Sequence, residues 1–506
     1  MHQIQDLESL KLFLKTNLKN PIVGIGVYAF NRLGLEDIIS DYHLVALRYS
    51  LDTKLIEKNI ETLSLEKGMG TKHIKDSRNS TTIIDHPRVL QYLKKLTDEY
   101  KQPPVLLVYK STNRMEKICQ DNLWILTAPQ KKFGKALFEN KARLRKMLED
   151  IHVSIAPGEI KIAKELDYNQ LSDKYGLPFV LQHPTRGGGK GTFFIHNQND
   201  FEKAISKLKN KENDQEKFIK EKNSEYLNIV VSKFIKGPSP SITGCVTKHG
   251  ILSTGLQHQI LDIDKLYNSK NGSGLFCGHD WSFSNFSDKI NQQAYEIVER
   301  IGELFKKWNY KGIFGLDFIL DEKEEKLYVI ESNPRMLGSF PTLSMAQLMN
   351  NEPPILAFHL LEHININYSI DINKINNLMR KKKQGAHMFL HNLTKSWARN
   401  HNVVQPGVYI LNRNKLEFLR PGYKLQHLKN QEEFLITEGV PIRKSHFSPN
   451  RRLCRILTLA PVLEEYDRLN PWAERVIKTT YKAFKMRPIL FADIRKIFNP
   501  DFIAKG

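Results

Sequence analysis

The chain has 506 residues, 41% of them apolar, and a formal charge of +21 from 76 Lys and Arg against 55 Asp and Glu. At ~100–200 residues per domain this length predicts about three domains, and no uninterrupted apolar run of about 18 residues is present, which excludes a membrane-spanning helix. Cys119, Cys245, Cys277 and Cys454 are scattered, with no CxxC and no Cys/His grouping; this excludes a disulfide framework and structural zinc, and it suits a reducing cytoplasm.

The first segment, MHQIQDLESLKLFLKTNLKN, lacks a basic leader followed by an apolar stretch and a cleavage site, and reads as mature sequence. Residues 1–130 then read as an α/β unit, with apolar runs PIVGIGVYA, HLVALRYS, PPVLLVY and DNLWILT separated by helical patterns. Gly24, Gly26 and Ala29 match GxGxxA. The strand after them ends at Arg48 with no acid to hold a ribose, so a structural turn is expected rather than a dinucleotide site.

From Phe138 to Leu148, FENKARLRKML has helical spacing, with Leu144 and Leu148 on one face and Lys141 on another. Read alone, Lys141 is an ordinary solvated lysine. IAPG (155–158) is a breaker cluster that ends this helix. PFVL and TFFIH predict two strands, and DFEKAISKL predicts a helix capped at Asp200. Between the strands lies PTRGGGKG, with Arg186, Gly187, Gly188, Gly189, Lys190 and Gly191. No Ser or Thr follows Lys190 and a strand rather than a helix comes next, so this is not a P-loop. Consecutive glycines let backbone N–H groups turn toward an anion, and two cations add charge, so a phosphate lid is expected over about 178–196. YLNIVVSKFIKGPSP reads as a strand leaving the core at Gly237–Pro238. GILSTGLQHQI reads as one strand, NGSGLFCGHDW as a glycine-rich loop, and AYEIVERIGELFKKW as an amphipathic helix with Ile297, Ile301 and Leu304 inward.

The stretch 312–335 carries the strongest chemical signal. GIFGLDFIL and LYVIE flank the charged turn DEKEE, a hairpin pattern. A three-residue turn at Lys323 to Glu325 places Asp317 opposite Glu331, and Asn333 shares the face of Glu331. Opposed Cβ atoms lie about 4.5–5.5 Å apart. Two carboxylates that interrupt apolar strands at that spacing repel unless a cation lies between them, and hard oxygen ligands suit Mg²⁺.

Residues 366–385 are rich in Asn and Lys and read as a linker. Beyond them, short strands with Pro-Gly turns and a closing helix predict a small C-terminal α+β domain over 386–506. His387 and His391 stand four apart, a metal-binding spacing on a helix, but no acidic third ligand is near and they read as core or surface histidines.

The order of these pieces resembles the ATP-grasp superfamily over roughly residues 130–350: a helix with NK, a strand–glycine-loop–strand lid, a hinge, and a GLDFIL…ESNPR hairpin. The resemblance implies an α/β and α+β multidomain fold, with a pre-ATP-grasp domain (1–130), an ATP-grasp domain (131–365) and the C-terminal domain. It implies that Asp317, Glu331 and Asn333 hold Mg²⁺, or Mn²⁺ in its place, against ATP. Arg335 would contact the phosphoryl group or acidic substrate, and Lys190 and Arg186 would assist. Lys141 would approach the phosphates beneath the lid of Gly187, Gly188, Gly189 and Gly191. Lys233, Phe234 and Ile235 would form the adenine hinge. Many members carry a lysine where this chain has Gln182, which can hydrogen-bond to phosphate without charge. The implied activity is ATP-dependent joining of a small carboxylate to an amine in the cytoplasm, compatible with a homo-oligomer. The alternatives are biotin-carboxylase-like activation of bicarbonate, requiring a separate biotin carrier, and a regulatory ATP-binding protein without turnover. Nucleic acid ranks last, because aromatics are not interleaved with the basic clusters.

Overall fold

A computed structural model describes residues 3–69, 80–187, 191–209, 227–267, 274–364 and 366–489. The expected N-terminal strands form: β1 (Ile22–Gly26), β2 (Tyr42–Ala46), β4 (Val105–Leu107) and β5 (Ile125–Thr127), joined by the unexpected β3 (Thr62–Ser64). They build a parallel sheet in the order β3-β2-β1-β4-β5. Both faces are covered, as a parallel sheet requires. Val23, Ile25, Val45 and Leu106 pack against Val89, Leu93 and Met115 of flanking helices. Ile22, Leu44 and Leu107 face Leu343, Phe358 and Phe340 of the central region. After β1 comes a single 3-10 turn, Ala29–Arg32, so the GxGxxA motif opens no long helix. The helix Leu7–Asn17, capped by Asp6, buries Leu7, Leu10, Phe13 and Leu14.

A second, antiparallel sheet has the order β6-β9-β7-β8, from β6 (Gly158–Ile162), β7 (Phe179–Gln182), β8 (Thr192–Ile195) and β9 (Asn228–Lys233). Three local expectations shift here. The helix over 138–148 is Lys141–Asp150 behind a π-helical turn at Gly134–Phe138. The chain leaves that helix before IAPG, where Ile155 bridges to Val329. The helix expected at DFEKAISKL is Gln198–Lys209 and starts before Asp200, whose N–H donates to Asn197 Oδ1 at 3.0 Å.

The largest sheet gathers eleven strands. It begins with β10 (Pro240–Thr247), β11 (Gly250–Ser253), β12 (Gln257–Leu261), β13 (Phe276–Asp280), β14 (Gly312–Asp321) and β15 (Lys326–Asn333). GILSTGLQHQI is therefore two strands, and the expected glycine-rich loop contains the buried strand β13. The helix Asp288–Lys307 lays Ile290, Ile297, Ile301 and Phe305 on Phe314, Leu316 and Phe318 of β14, with Leu304 half-buried beside them. Each such side chain taken from water stabilises the layer by about 1.5–3 kcal/mol.

The sheet continues into the C-terminal region. β16 (Ala386–His391) pairs with β13 on one side and β22 (Arg452–Thr458) on the other. β17 (Ala398–Asn400) and β21 (His446–Phe447) pair aside. β18 (Gly407–Asn412), β19 (Lys415–Pro421) and β20 (Phe434–Thr437) complete the order β15-β14-β10-β12-β13-β16-β22-β20-β18-β19, with β11 on β10. The expected linker 366–385 contains the helix Ile372–Met379, with Ile375 and Met379 in the core. His387 and His391 lie on a strand, both buried, bonded to Thr342 Oγ1 (3.0 Å) and Leu266 O (2.9 Å). All four cysteines are free and buried. No helix among the described residues is long and apolar enough to cross a membrane.

Candidate active site

The β14–β15 hairpin opposes Asp317 to Glu331 and Gly315 to Asn333. The opposition expected from sequence is present, reached by another route. Asp321 pairs with Lys326, so four residues form the turn, and a bulge between Asp317 and Phe318 restores the register one strand step later. The bulge re-aims the acid pair while Phe318 and Leu320 stay on the helix-covered face.

Asp317 Oδ1 accepts from Gln259 Nε2 at 3.1 Å, and Oδ2 accepts from Asn333 Nδ2 at 2.9 Å. Burial raises the Asp317 pKa from the ordinary carboxylate range, and the charge of Glu331 raises it further. Two opposed acids presenting only oxygen and lacking a third His, Cys, Asp or Glu among the described residues fit a hard divalent cation that takes further ligands from phosphate and water.

Lys141 is the main correction to the residue-level reading. It stands at the first turn of its helix, buried rather than solvated, with its N–H donating to Pro184 O at 2.9 Å. Its Nζ pairs with Glu331 Oε2 at 3.0 Å and donates to Arg186 O at 3.2 Å. One side chain thus ties the mouth of the lid to the acid pair.

Arg335 donates through Nε to Glu139 Oε1 at 3.0 Å, through Nη1 to the Tyr109 hydroxyl, and through Nη2 to Asn333 Oδ1. Burial opposes its charge, yet Tyr109, Glu139 and Glu331 more than offset this and raise its pKa. A permanently charged fork is therefore fixed beside the β14–β15 hairpin.

The lid strands β7 and β8 pair Gln182 with Thr192. The Gln182 side chain donates to Thr192 Oγ1 at 3.4 Å, not to the hairpin. Arg186 turns its guanidinium to Lys207 O at 3.0 Å, so only its carbonyl meets Lys141. His183 N–H donates to Gly191 O at 2.7 Å and closes the base of the loop. Gly187 faces open space, whereas a Cβ at Gly191 would lie 2.6 Å from Arg186 Cβ. Gly188, Gly189 and Lys190 lie outside the described residues.

At the hinge, the Lys233 N–H is committed to Pro157 O at 2.8 Å, so it is not free to read a base. Phe234 packs edge-on against Phe194 at 5.6 Å. Ile235 lies two residues beyond the strand end at Lys233 and makes no hydrogen bond among the described residues, leaving its backbone N–H and C=O available. The chain then passes so close to the hairpin that a Cβ on Gly237 would lie 2.0 Å from Leu320 O. Glycine is required there by contact, not by an unusual φ.

Three partners were not legible as site residues. Tyr109 follows the third predicted strand, at the carboxyl end where open α/β sheets bind ligands. Glu139 lies inside the FENK segment. Gln259 carries no local signal; it reaches Asp317 across β10, with which both β12 and β14 pair.

Residues 138–339 match the family described as ATP-grasp domain. The [butirosin acyl-carrier protein]–L-glutamate ligase of Niallia circulans is 24% identical over 173 residues, 33% of this chain and 35% of that protein. A carbamoyl phosphate synthase large chain of Thermoanaerobacter pseudethanolicus is 20% identical over 330 residues, 64% of this chain and 27% of that protein. The chain thus spans about a third or less of the length of these two relatives. In fold it is similar to the biotin carboxylase domain dimer of Hydrogenobacter thermophilus 2-oxoglutarate carboxylase in complex with MgADP, ADP and bicarbonate. That likeness has a TM-score of 0.54 at 14% identity, over 96% of this chain and 95% of that one. The opposed acids and the four-stranded sheet β6-β9-β7-β8 both fall within the segment 138–339 that matches the ATP-grasp domain.

Proposed function

We propose that this chain is an ADP-forming ligase that activates a small carboxylate with ATP and joins it to an amine. The observation that carries this reading is the opposed Asp317–Glu331 pair, bracketed by Lys141 and the fixed guanidinium of Arg335. Asp317 and Glu331, with Asn333, would hold Mg²⁺, for which Mn²⁺ would substitute; the ion supplies charge neutralisation at the phosphates. Lys141 would exchange its contact with Glu331 for a phosphate oxygen, and the Ile235 backbone would read the adenine edge.

In the first step a substrate carboxylate oxygen attacks the γ-phosphorus, the bond to the β-bridging oxygen breaks, and ADP leaves. Arg335 stabilises the negative charge spread over the transferred group. In the second step the amine attacks the acyl carbon, phosphate departs with the bonding pair, and the ammonium proton passes to solvent. Nothing in this sequence needs a covalent protein nucleophile; positioning and charge supply the catalysis. The N-terminal unit (1–130) and the C-terminal region (386–506) would enclose the substrates. A cytoplasmic setting and a homo-oligomer belong to the same proposal.

A bicarbonate-activating reading is supported by the fold likeness over 96% of the chain, and a regulatory reading by the engagement of Gln182 with Thr192. One assay separates the three: ADP release from Mg²⁺-ATP with pooled amino acids and carboxylates, or with bicarbonate, in wild type and Glu331→Gln. The ligase reading expects release that depends on the pool and collapses in the variant. Release with bicarbonate alone, or ATP binding without release in any arm, overturns it.

A further inference from the structure

Gly24 and Gly26, set aside as a dinucleotide motif, do something else in the fold. A Cβ on Gly24 would lie 2.5 Å from Arg32 Cβ, and one on Gly26 would lie 3.5 Å from Arg32 Cγ. The two glycines clear a bed on which the Arg32 side chain lies at the carboxyl end of β1. Arg32 is 7% exposed. Its Nη1 donates to Asn31 O at 2.7 Å, its Nε is buried without a partner, and it makes no ion pair among the described residues.

The carboxylate of Glu438 is already engaged by other groups. Glu438 Oε1 takes Arg452 Nη1 at 2.7 Å and Asn31 Nδ2 at 2.7 Å, and Oε2 takes Arg455 Nε. Arg452 and Arg455 thus share one acid, and Arg32 adjoins it through Asn31, whose carbonyl accepts from Arg32 Nη1 and whose amide donates to Glu438. Arg455 is further fixed by Thr342 Oγ1 at 2.8 Å, and Arg452 stacks on Phe389 with its charge 3.5 Å from the ring centre. The Arg452 side chain is 36% exposed and opens the cluster to solvent. Burial lowers the pKa of both Arg32 and Arg455 to about 10, which leaves them charged near neutrality. A buried cation lacking its counter-charge costs several kcal/mol, and bidentate capture of an oxyanion is what a guanidinium does best.

We infer that Arg32, Arg452 and Arg455 form an oxyanion-binding subsite for a carboxylate or phosphate group remote from the reacting carboxyl of the acid substrate. Tyr109, which accepts from Arg335, also lies in electrostatic range of Arg32. This assignment of substrate class rests on the ligase reading, whereas binding of the anion does not require turnover.

Titration calorimetry without ATP tests it, using succinate and glycerol 3-phosphate as probes, with succinamide and glycerol as uncharged counterparts. Saturable binding of one charged probe, absent for its uncharged counterpart, is expected, and the probe that binds tells carboxylate from phosphate. Arg32→Met and Arg452→Gln should each weaken binding roughly tenfold or more. Arg32→Met should also raise the thermal midpoint of the unliganded chain, since it removes an unpaired buried charge. The subsite is overturned if neither charged probe binds wild type, or if the probe binds both variants as tightly as wild type. Probe binding without ADP release in the pooled assay fails the ligase reading and keeps the subsite; release unaffected by Arg32→Met, with no probe binding, does the reverse.

Discussion

The hairpin and the arginine cluster are built to opposite sign. At the hairpin, Asp317 and Glu331 oppose each other across two strands, with Lys141 paired to Glu331 and Arg335 shared between them and a third acid, Glu139. At the cluster, two guanidiniums share Glu438, and the neighbouring Arg32 has no ion pair among the described residues and an unpartnered buried Nε. Each region is electrostatically incomplete by itself, and each lacks what a ligand would bring: a cation with phosphates at one, an oxyanion at the other. A fold does not bury mismatched charge for stability, so the two mismatches mark where binding energy is to be gained.

The largest effect should come from removing charge at the hairpin. Glu331→Gln should lower ADP release by roughly 10²–10³-fold in a steady-state assay; an effect under about tenfold would place the cation elsewhere. Lys141→Met should lower release by about ten- to a hundredfold, because a charge-assisted contact to the phosphates is lost. It should also raise the Asp317 pKa further, since Lys141 helps hold that acid ionised.

Stability tells the two regions apart. The Asp317 pKa is raised in the fold, so the protonated acid is the stabilised form. Its contribution is fully present below the ordinary carboxylate range and is lost as pH rises through its elevated value. Asp317→Asn should therefore stabilise the unliganded chain by about 1–2 kcal/mol near neutral pH, with the gain vanishing in acid, as chemical denaturation at several pH values would reveal. The gain from Arg32→Met should persist across that range, because a guanidinium does not titrate there. Matching pH profiles for the two variants would dissolve the contrast. The smallest effect is expected at the lid, where Gln182→Lys should tighten ATP binding by about threefold, measurable by equilibrium titration.

The hairpin was legible because its signal is local. Alternation over Gly312–Leu320 fixes which residues share a face, and the acids stand out against apolar neighbours. The count of turn residues was off by one, and the bulge compensated for it; β-bulges leave little trace in a single sequence. The lid strands and the long helix Asp288–Lys307 were legible for the same reason. Lys141 was not, because its burial depends on Pro184, Arg186 and Glu331, which come from two other elements. β13 read as a loop because its glycine-rich approach masks a strand whose pairing partners lie at 258–261 and 386–388.

By itself, then, the sequence determined four of the five N-terminal strands, the helix Asp288–Lys307, the facing of Asp317, Glu331 and Asn333, and the glycine-flanked strands β7 and β8, all set by period-2 and period-3.6 patterns within a few residues. Tertiary structure alone decided the rest. It carried the central sheet through the expected linker into the C-terminal region, seated Lys141 on Glu331, brought Gln259 to Asp317, and folded Arg32 over Gly24 toward Glu438. Those contacts join residues up to hundreds of positions apart, and their energies depend on burial and on neighbouring charge, which no local pattern encodes.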